Sequence, residues 1–159
     1  MATIHPLPAH LSPALTRREA ITDAITRFLV ALDTSDKPLF ESAFTASATL
    51  NINGTVLEGL PALVSGCYDL ISKLDTTHFL TNVRINVEES GKRAGVTASA
   101  LSQHYRAGEG LVGGMEALLV GCLYWVEVVR DEGEEEFWRI LHFTLKSTWA
   151  DGEWGILKA

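Results

Sequence analysis

The sequence predicts an α+β domain: a curved antiparallel sheet with helices packed over its concave face. Three observations predict it. Two capped helical segments fill the chain before residue 45, a third follows the tight-turn signal Asn53-Gly54, and four long alternating segments occupy the rest. Strands of this length twist and curl, and a curled sheet covered by helices encloses a pocket.

Residues 1–15 read as an irregular arm punctuated by Pro6, Pro8 and Pro13. Thr16-Arg17-Arg18-Glu19 is a capping box, in which the Thr16 side chain caps the helix and Glu19 reaches back. Ile21, Ala24, Ile25, Phe28, Leu29 and Leu32 then recur at helical spacing as a buried stripe, ending near Asp33-Thr34-Ser35-Asp36. Asp36 caps a short second helix with Pro38 in its first turn, and Leu39, Ala43 and Phe44 point inward. Ala48–Ile52 is a strand that Asn53-Gly54 turns into Thr55–Leu57. Gly59-Leu60-Pro61 opens a third helix with Leu63, Val64, Cys67, Leu70, Ile71 and Leu74 on one face. Four strands follow, Thr77–Glu88, Ala94–Arg106, Glu116–Arg130 and Glu136–Thr148, joined by turns such as Ser90-Gly91-Lys92 and Gly108-Glu109-Gly110. The expected organisation is one domain over residues 16–150 and a tail over 151–159.

The 159 residues suffice for one substantial core, and the net charge is -7, with 13 Lys and Arg against 20 Asp and Glu. That balance argues against a nucleic-acid or anionic-membrane partner, because phosphate binding needs clustered cations. The acidic run 131–136 reads as a solvated hairpin tip. Cys67 and Cys122 lie in apolar segments and read as reduced core thiols, neither a bridge nor a zinc site. No secretory leader is expected, and no stretch reaches the roughly 18 apolar residues of a membrane span, so the expected location is cytoplasmic. Phosphate-loop, dinucleotide, zinc-helix and nucleophile-elbow motifs are all missing from the sequence.

Candidate chemistry rests on two histidines. Strand parity places Leu80, Asn82 and Arg84 on the face of His78, with Phe79, Val83, Ile85 and Val87 opposite. From His104 the same face runs back through Ser102, Ala100, Ala98 and Val96. Two imidazoles over small side chains suit an acid–base pocket, since imidazole titrates near neutral pH. Tyr124, Cys122 and Val120 share a face of the next strand. His142 has the parity opposite to Leu141, Phe143 and Leu145 and belongs to the outer face. Each candidate also has a structural reading: Asp33 as a turn residue, His78 as its hydrogen-bond partner, His104 as an exposed strand residue. The apolar outer positions Leu119, Leu123, Trp125 and Val129 need cover, which predicts a homodimer or homotrimer.

Three motifs carry a family resemblance. Leu32-Asp33-Thr34-Ser35-Asp36 follows the first helix, Thr77-His78-Phe79-Leu80 with Asn82-Val83-Arg84 enters the first long strand, and Trp138-Arg139-Ile140 runs to Trp149 on the last. In this order, over roughly residues 16–150, they resemble SnoaL-like members of the nuclear transport factor 2-like superfamily, scytalone dehydratases above all. The resemblance implies a nuclear transport factor 2-like cone and chemistry without metal or organic cofactor. It implies that Asp33 orients and polarises His78, while His104 exchanges a proton at the leaving oxygen. The pair would remove a carbon-bound proton and expel hydroxide as water.

Departures from that family shape the expected substrate. Leu32 stands where it has one tyrosine, Asn53 near the second, and Val120 and Cys122 where it has Ser and Asn. The expected pocket is therefore greasier, with Phe28, Leu32, Cys67, Leu74, Val120 and Phe143 as apolar wall. Asn53, Asn82, Ser102, Cys122 and Tyr124 would supply polar contacts. The expected function is a cofactor-independent, dehydratase-type lyase acting on a small hydrophobic polyketide- or terpenoid-like metabolite. An isomerase or cyclase using the same groups is the near alternative, and a non-catalytic ligand-binding or dimerisation module is the distant one.

Overall fold

In the computed structural model, which describes residues 4–134 and 136–158, helix α1 (Arg17–Thr34) starts at the capping box. The Thr16 backbone N–H donates to Glu19 at 2.8 Å, and the Thr16 side chain accepts from the Glu19 backbone. The first three residues of the expected arm, Glu135 of the acidic run and Ala159 of the expected tail lie outside the described residues. Every residue of the expected α1 stripe is buried. Asp36 caps helix α2 (Lys37–Ser42), accepting from the Leu39 N–H at 2.9 Å. Strand β1 (Phe44–Ile52) begins at once, earlier than the sequence pattern suggests, with Phe44 at its buried first position and not on the helix.

Asn53 and Gly54, both at positive φ (51 and 95), turn β1 into β2 (Thr55–Glu58), the backbone a tight hairpin turn requires. The third helical segment is broken into α3 (Leu60–Leu63), a π-helical turn (Val64–Tyr68) and α4 (Asp69–Ile71). The wider π turn inserts a residue into the helical period. Tyr68 is consequently buried, while Leu70, expected inward, is exposed.

The long strands are β3 (Asp75–Val87), β4 (Arg93–Tyr105), β5 (Leu118–Arg130) and β6 (Trp138–Gly152). All six strands form one sheet in the order β2-β1-β6-β5-β4-β3. Pairing is antiparallel except between β1 and β6, which run parallel. The expected α+β cone is borne out. Its core lies between α1 and the concave face, where Phe28 packs edge-on to Phe40, Phe44 and Phe143 at 5.6, 5.1 and 5.3 Å.

A bulge corrects the parity reading of β3. Register shifts between Thr81 and Arg84, and Asn82 takes a left-handed φ of 54. Beyond it the faces exchange: Ile85 pairs with Val96 and Val87 with Ala94, and both pack on the core. Asn82, expected in the pocket, is exposed on the outer face and reaches Ser99 Oγ at 3.3 Å.

Arg27 is a buried cation, 4% exposed. It pairs with Asp23 at 2.9 Å, donates to the carbonyls of Ser42 and Trp138, and stacks over the Phe137 ring. The acidic hairpin is pinned instead of freely solvated, through Asp131–Arg139, Glu136–Arg17 and His10–Glu134 pairs. Residues past 150 do not leave the domain, because a 3-10 turn (Trp154–Lys158) folds back with Ile156 fully buried. Among the described residues no helix is long and apolar enough to cross a membrane.

The left-handed residue of the β3 bulge gives a test of the corrected register. Replacing Asn82 with Val should cost roughly 1–2 kcal/mol in urea unfolding, because a β-branched side chain resists positive φ. Asn82→Gly should stay near wild type.

Candidate active site

Asp33 lies in the last turn of α1, where the helix dipole disfavours an anion. The first residues of β3 compensate. Asp33 accepts from Thr76 Oγ1 at 2.7 Å, the His78 backbone N–H at 2.9 Å and His78 Nδ1 at 2.6 Å. Burial works to raise the Asp33 pKa, but these bonds and the His78 charge outweigh it, and the carboxyl stays below the ordinary value. With its Nδ1–H committed to Asp33, His78 presents Nε2 as its free ring nitrogen.

His104 is a different kind of histidine. It is buried, its ring is 5.4 Å from that of His78 at 86°, and its Nδ1 donates to the Leu118 carbonyl at 3.2 Å. Burial, reinforced by the nearby His78, pushes its pKa down to about 4. The ring is therefore neutral at pH 7, and Nε2 is a hydrogen-bond acceptor. The structure thus brings Asp33, His78 and His104 together.

The two histidines border a cavity of about 110 Å³ on the concave face, with Asp33 behind His78. Of the expected lining, Phe28, Leu32, Asn53, Cys67, Ser102, Val120, Cys122 and Tyr124 reach it. Three expected residues do not. Asn82 is turned out by the bulge, Leu74 packs on the core beside the cavity, and Phe143 stands behind Phe28 and Tyr124. Opposite the histidines lies a second polar group. Asn53 donates to Ser147 Oγ at 3.0 Å and accepts from the Ser147 N–H at 2.7 Å, with Cys122 Sγ 3.7 Å from Ser147 Oγ. Burial pushes the Cys67 thiol up to about 12 and also raises Cys122, so neither is a ready nucleophile.

Sequence reasoning missed Leu29, Leu50, Ile52, Ile71, Ser147, Trp154 and Leu157. Ser147 shares parity with Phe143 and Leu145 and was within reach of that signal. Trp154 and Leu157 had none, since they follow the last strand. Among the described residues no group of three or more His, Cys, Asp or Glu is placed to hold a metal ion. His142 bonds Thr49 Oγ1 at 2.8 Å, away from the cavity residues. The arrangement can accept a proton at His78 Nε2, with Asp33 stabilising the imidazolium, and can receive a hydrogen bond at His104 Nε2.

The model of the SnoaL-like domain family matches residues 13–144. Terrestric acid biosynthesis cluster protein E of Penicillium crustosum is 54% identical over 150 residues, covering 94% of this chain and 95% of that protein. Solved structures share the fold at lower identity. Kfla4162 of Kribbella flavida gives a TM-score of 0.75 at 19% identity, over 90% of this chain and 97% of its own. A candidate scytalone dehydratase from Novosphingobium aromaticivorans DSM 12444 gives 0.72 at 18%, over 86% and 87%. The hexachlorocyclohexane dehydrochlorinase LinA-type3 of Novosphingobium barchaimii LL02 gives 0.67 at 21%, over 87% and 91%.

His104 makes stability depend on pH. Its folded pKa of about 4 lies below the ordinary 6.5, so across that window only the unfolded chain binds the proton. Stability should fall by up to roughly 3 kcal/mol as pH drops from 6.5 to 4. Asp33 adds a second loss at lower pH, as its depressed pKa is crossed. Urea unfolding of wild type against His104→Gln checks this, the variant showing the shallower slope. In NMR the His104 ring should titrate near 4.

Proposed function

The chain belongs to the SnoaL-like domain family, and on that premise we propose that it is an acid–base enzyme of secondary metabolism. Its reaction is of the dehydratase type, a lyase step on a small hydrophobic polyketide- or terpenoid-like metabolite. The observation that carries this reading is the Asp33–His78 pair opening onto a largely apolar cavity, with a neutral His104 beside it. The name of the 54% identical protein, which belongs to terrestric acid biosynthesis, supports the secondary-metabolism part.

In this reaction His78 Nε2 takes a proton from carbon while Asp33 stabilises the imidazolium. The C–H electron pair becomes the new double bond, and hydroxide leaves from the neighbouring carbon. His104 has no N–H to give at Nε2, so it holds the substrate hydroxyl as an acceptor. The proton that converts the departing hydroxide to water is the one His78 has just taken. Transfer by a positioned imidazole accounts for roughly two to four orders of magnitude in rate. One imidazole that takes and returns a proton is also what an isomerase or cyclase needs, which makes that class the second reading.

The outer sheet face, where Phe79, Leu123, Trp125 and Trp149 stand half-exposed, fits cover by a second copy of the chain. Sedimentation should show an oligomer at micromolar concentration, and a monomer would remove this part.

The chemistry is tested on extracts of a Penicillium crustosum strain lacking the related protein. The purified chain should convert a metabolite to a product lighter by one water, or to an isomer, as read by mass spectrometry. His78→Ala should slow that conversion at least a hundredfold and Asp33→Asn at least tenfold. Uptake of a ligand without chemical change, or full activity in His78→Ala, sinks the enzyme reading.

A further inference from the structure

Base catalysis on carbon needs somewhere for the electron pair to go. An imidazole near neutral pH removes a C–H proton efficiently only when the resulting carbanion is delocalised onto an electronegative atom, most simply a carbonyl oxygen. That oxygen gains negative charge, and a hydrogen-bond donor placed at it lowers the barrier. The cavity holds few donors free for this task. His104 spends its Nδ1–H on the Leu118 carbonyl, and its Nε2 faces substrate as a lone pair. Asn53 spends its carbonyl and one of its two amide N–H groups on Ser147, which leaves a single amide N–H to spare. Ser102 pairs directly across from His78, on the side of the base.

Tyr124 stands apart from these. It is 4% exposed, lines the cavity, and its ring is fixed edge-on to Phe143 at a centroid distance of 4.7 Å. No described residue hydrogen-bonds its hydroxyl, yet that atom is not among the sealed, unpartnered polar atoms of the interior. Its free hydroxyl therefore meets the cavity. Burial, with the charge of Asp33 adding to it, raises its pKa, so the phenol keeps its proton and remains a donor. A hydroxyl that faces the cavity with no protein partner is free to donate to a ligand oxygen. The cavity, about 110 Å³, is small enough for one molecule to touch Tyr124 and His78 together.

We propose that Tyr124 donates its O–H to a carbonyl oxygen of the substrate, which is a small apolar carbonyl compound with an acidic hydrogen on the adjacent carbon. The assignment rests on His78 acting as the base. When His78 Nε2 takes that hydrogen as a proton, its C–H pair becomes a carbon–carbon double bond and the carbonyl π pair moves to oxygen. Tyr124 holds the enolate oxygen without giving up its proton. As hydroxide leaves the next carbon, the pair on oxygen re-forms the carbonyl and the new double bond is conjugated with it.

The probe is 4-nitrophenolate, a planar oxyanion that mimics an enolate, titrated calorimetrically above its own pKa, with nitrobenzene, which lacks the phenolate oxygen, as the control. Tyr124→Phe removes the hydroxyl and keeps the ring on Phe143. It should weaken 4-nitrophenolate binding at least tenfold and leave nitrobenzene binding unchanged, while Asn82→Gly, on the outer face and away from the cavity, stays within threefold of wild type. A smaller loss in Tyr124→Phe, an equal loss for nitrobenzene, or a wild type that does not bind 4-nitrophenolate overturns the proposal. No turnover is involved. Failure of His78 as base would therefore appear in the extract assay, and failure of Tyr124 as donor in this one.

Discussion

The Asp33 carboxylate is the joint on which the rest of the site depends. It sits where its own helix repels it and is held by three donors from another element. Those bonds fix the end of α1 against the start of β3 and select the His78 tautomer in the same act. Toward the other end of the helix, Arg27 takes the carbonyls of Ser42 and Trp138 and holds α1 to α2 and β6. Between the two anchors Phe28, Leu29 and Leu32 form one wall of the cavity. Position along a single helix thus sets both the wall and the polar group beside it.

The two histidines owe their difference to what each Nδ1 touches. One meets a carboxylate and the other a peptide carbonyl. A carboxylate stabilises the imidazolium strongly, whereas a neutral carbonyl compensates little for lost hydration. Side chains of the same type, with rings 5.4 Å apart, therefore take complementary parts. Like-charge repulsion between them strengthens the division, since protonating one disfavours protonating the other.

Much of this was legible in the sequence because periodicity reports burial directly. The capping box, the α1 stripe, the Asn53-Gly54 turn and the facing of His104 with Ser102 all follow from local pattern. Asp33 came only from the family resemblance, since nothing local marks a helix-end acid as a partner for a strand histidine. What escaped lay where the period changes. The Asn82 bulge exchanged the faces of β3, and the π turn exchanged Tyr68 for Leu70. Both insert one residue into a repeat, and neither is announced by composition. Trp154 and Leu157 escaped for another reason: a short turn has no period to read, so only tertiary packing brings it back to the cavity.

The parallel pairing of β1 with β6 has a kinetic consequence. Every other pair of neighbours in the sheet is consecutive in the chain, but Leu50 meets Phe143 only across most of the chain. Closing so long a loop has an entropic cost that must be met before the contact stabilises anything. On a ribosome the β1–β2 hairpin emerges early, and the hydrogen-bonding edge of β1 stays unpaired until the final strand is complete. Because β6 then lies between β1 and β5, its arrival joins the two ends of the chain in one event. The cavity, with Leu145 and Ser147 on that strand, has no earlier partial form.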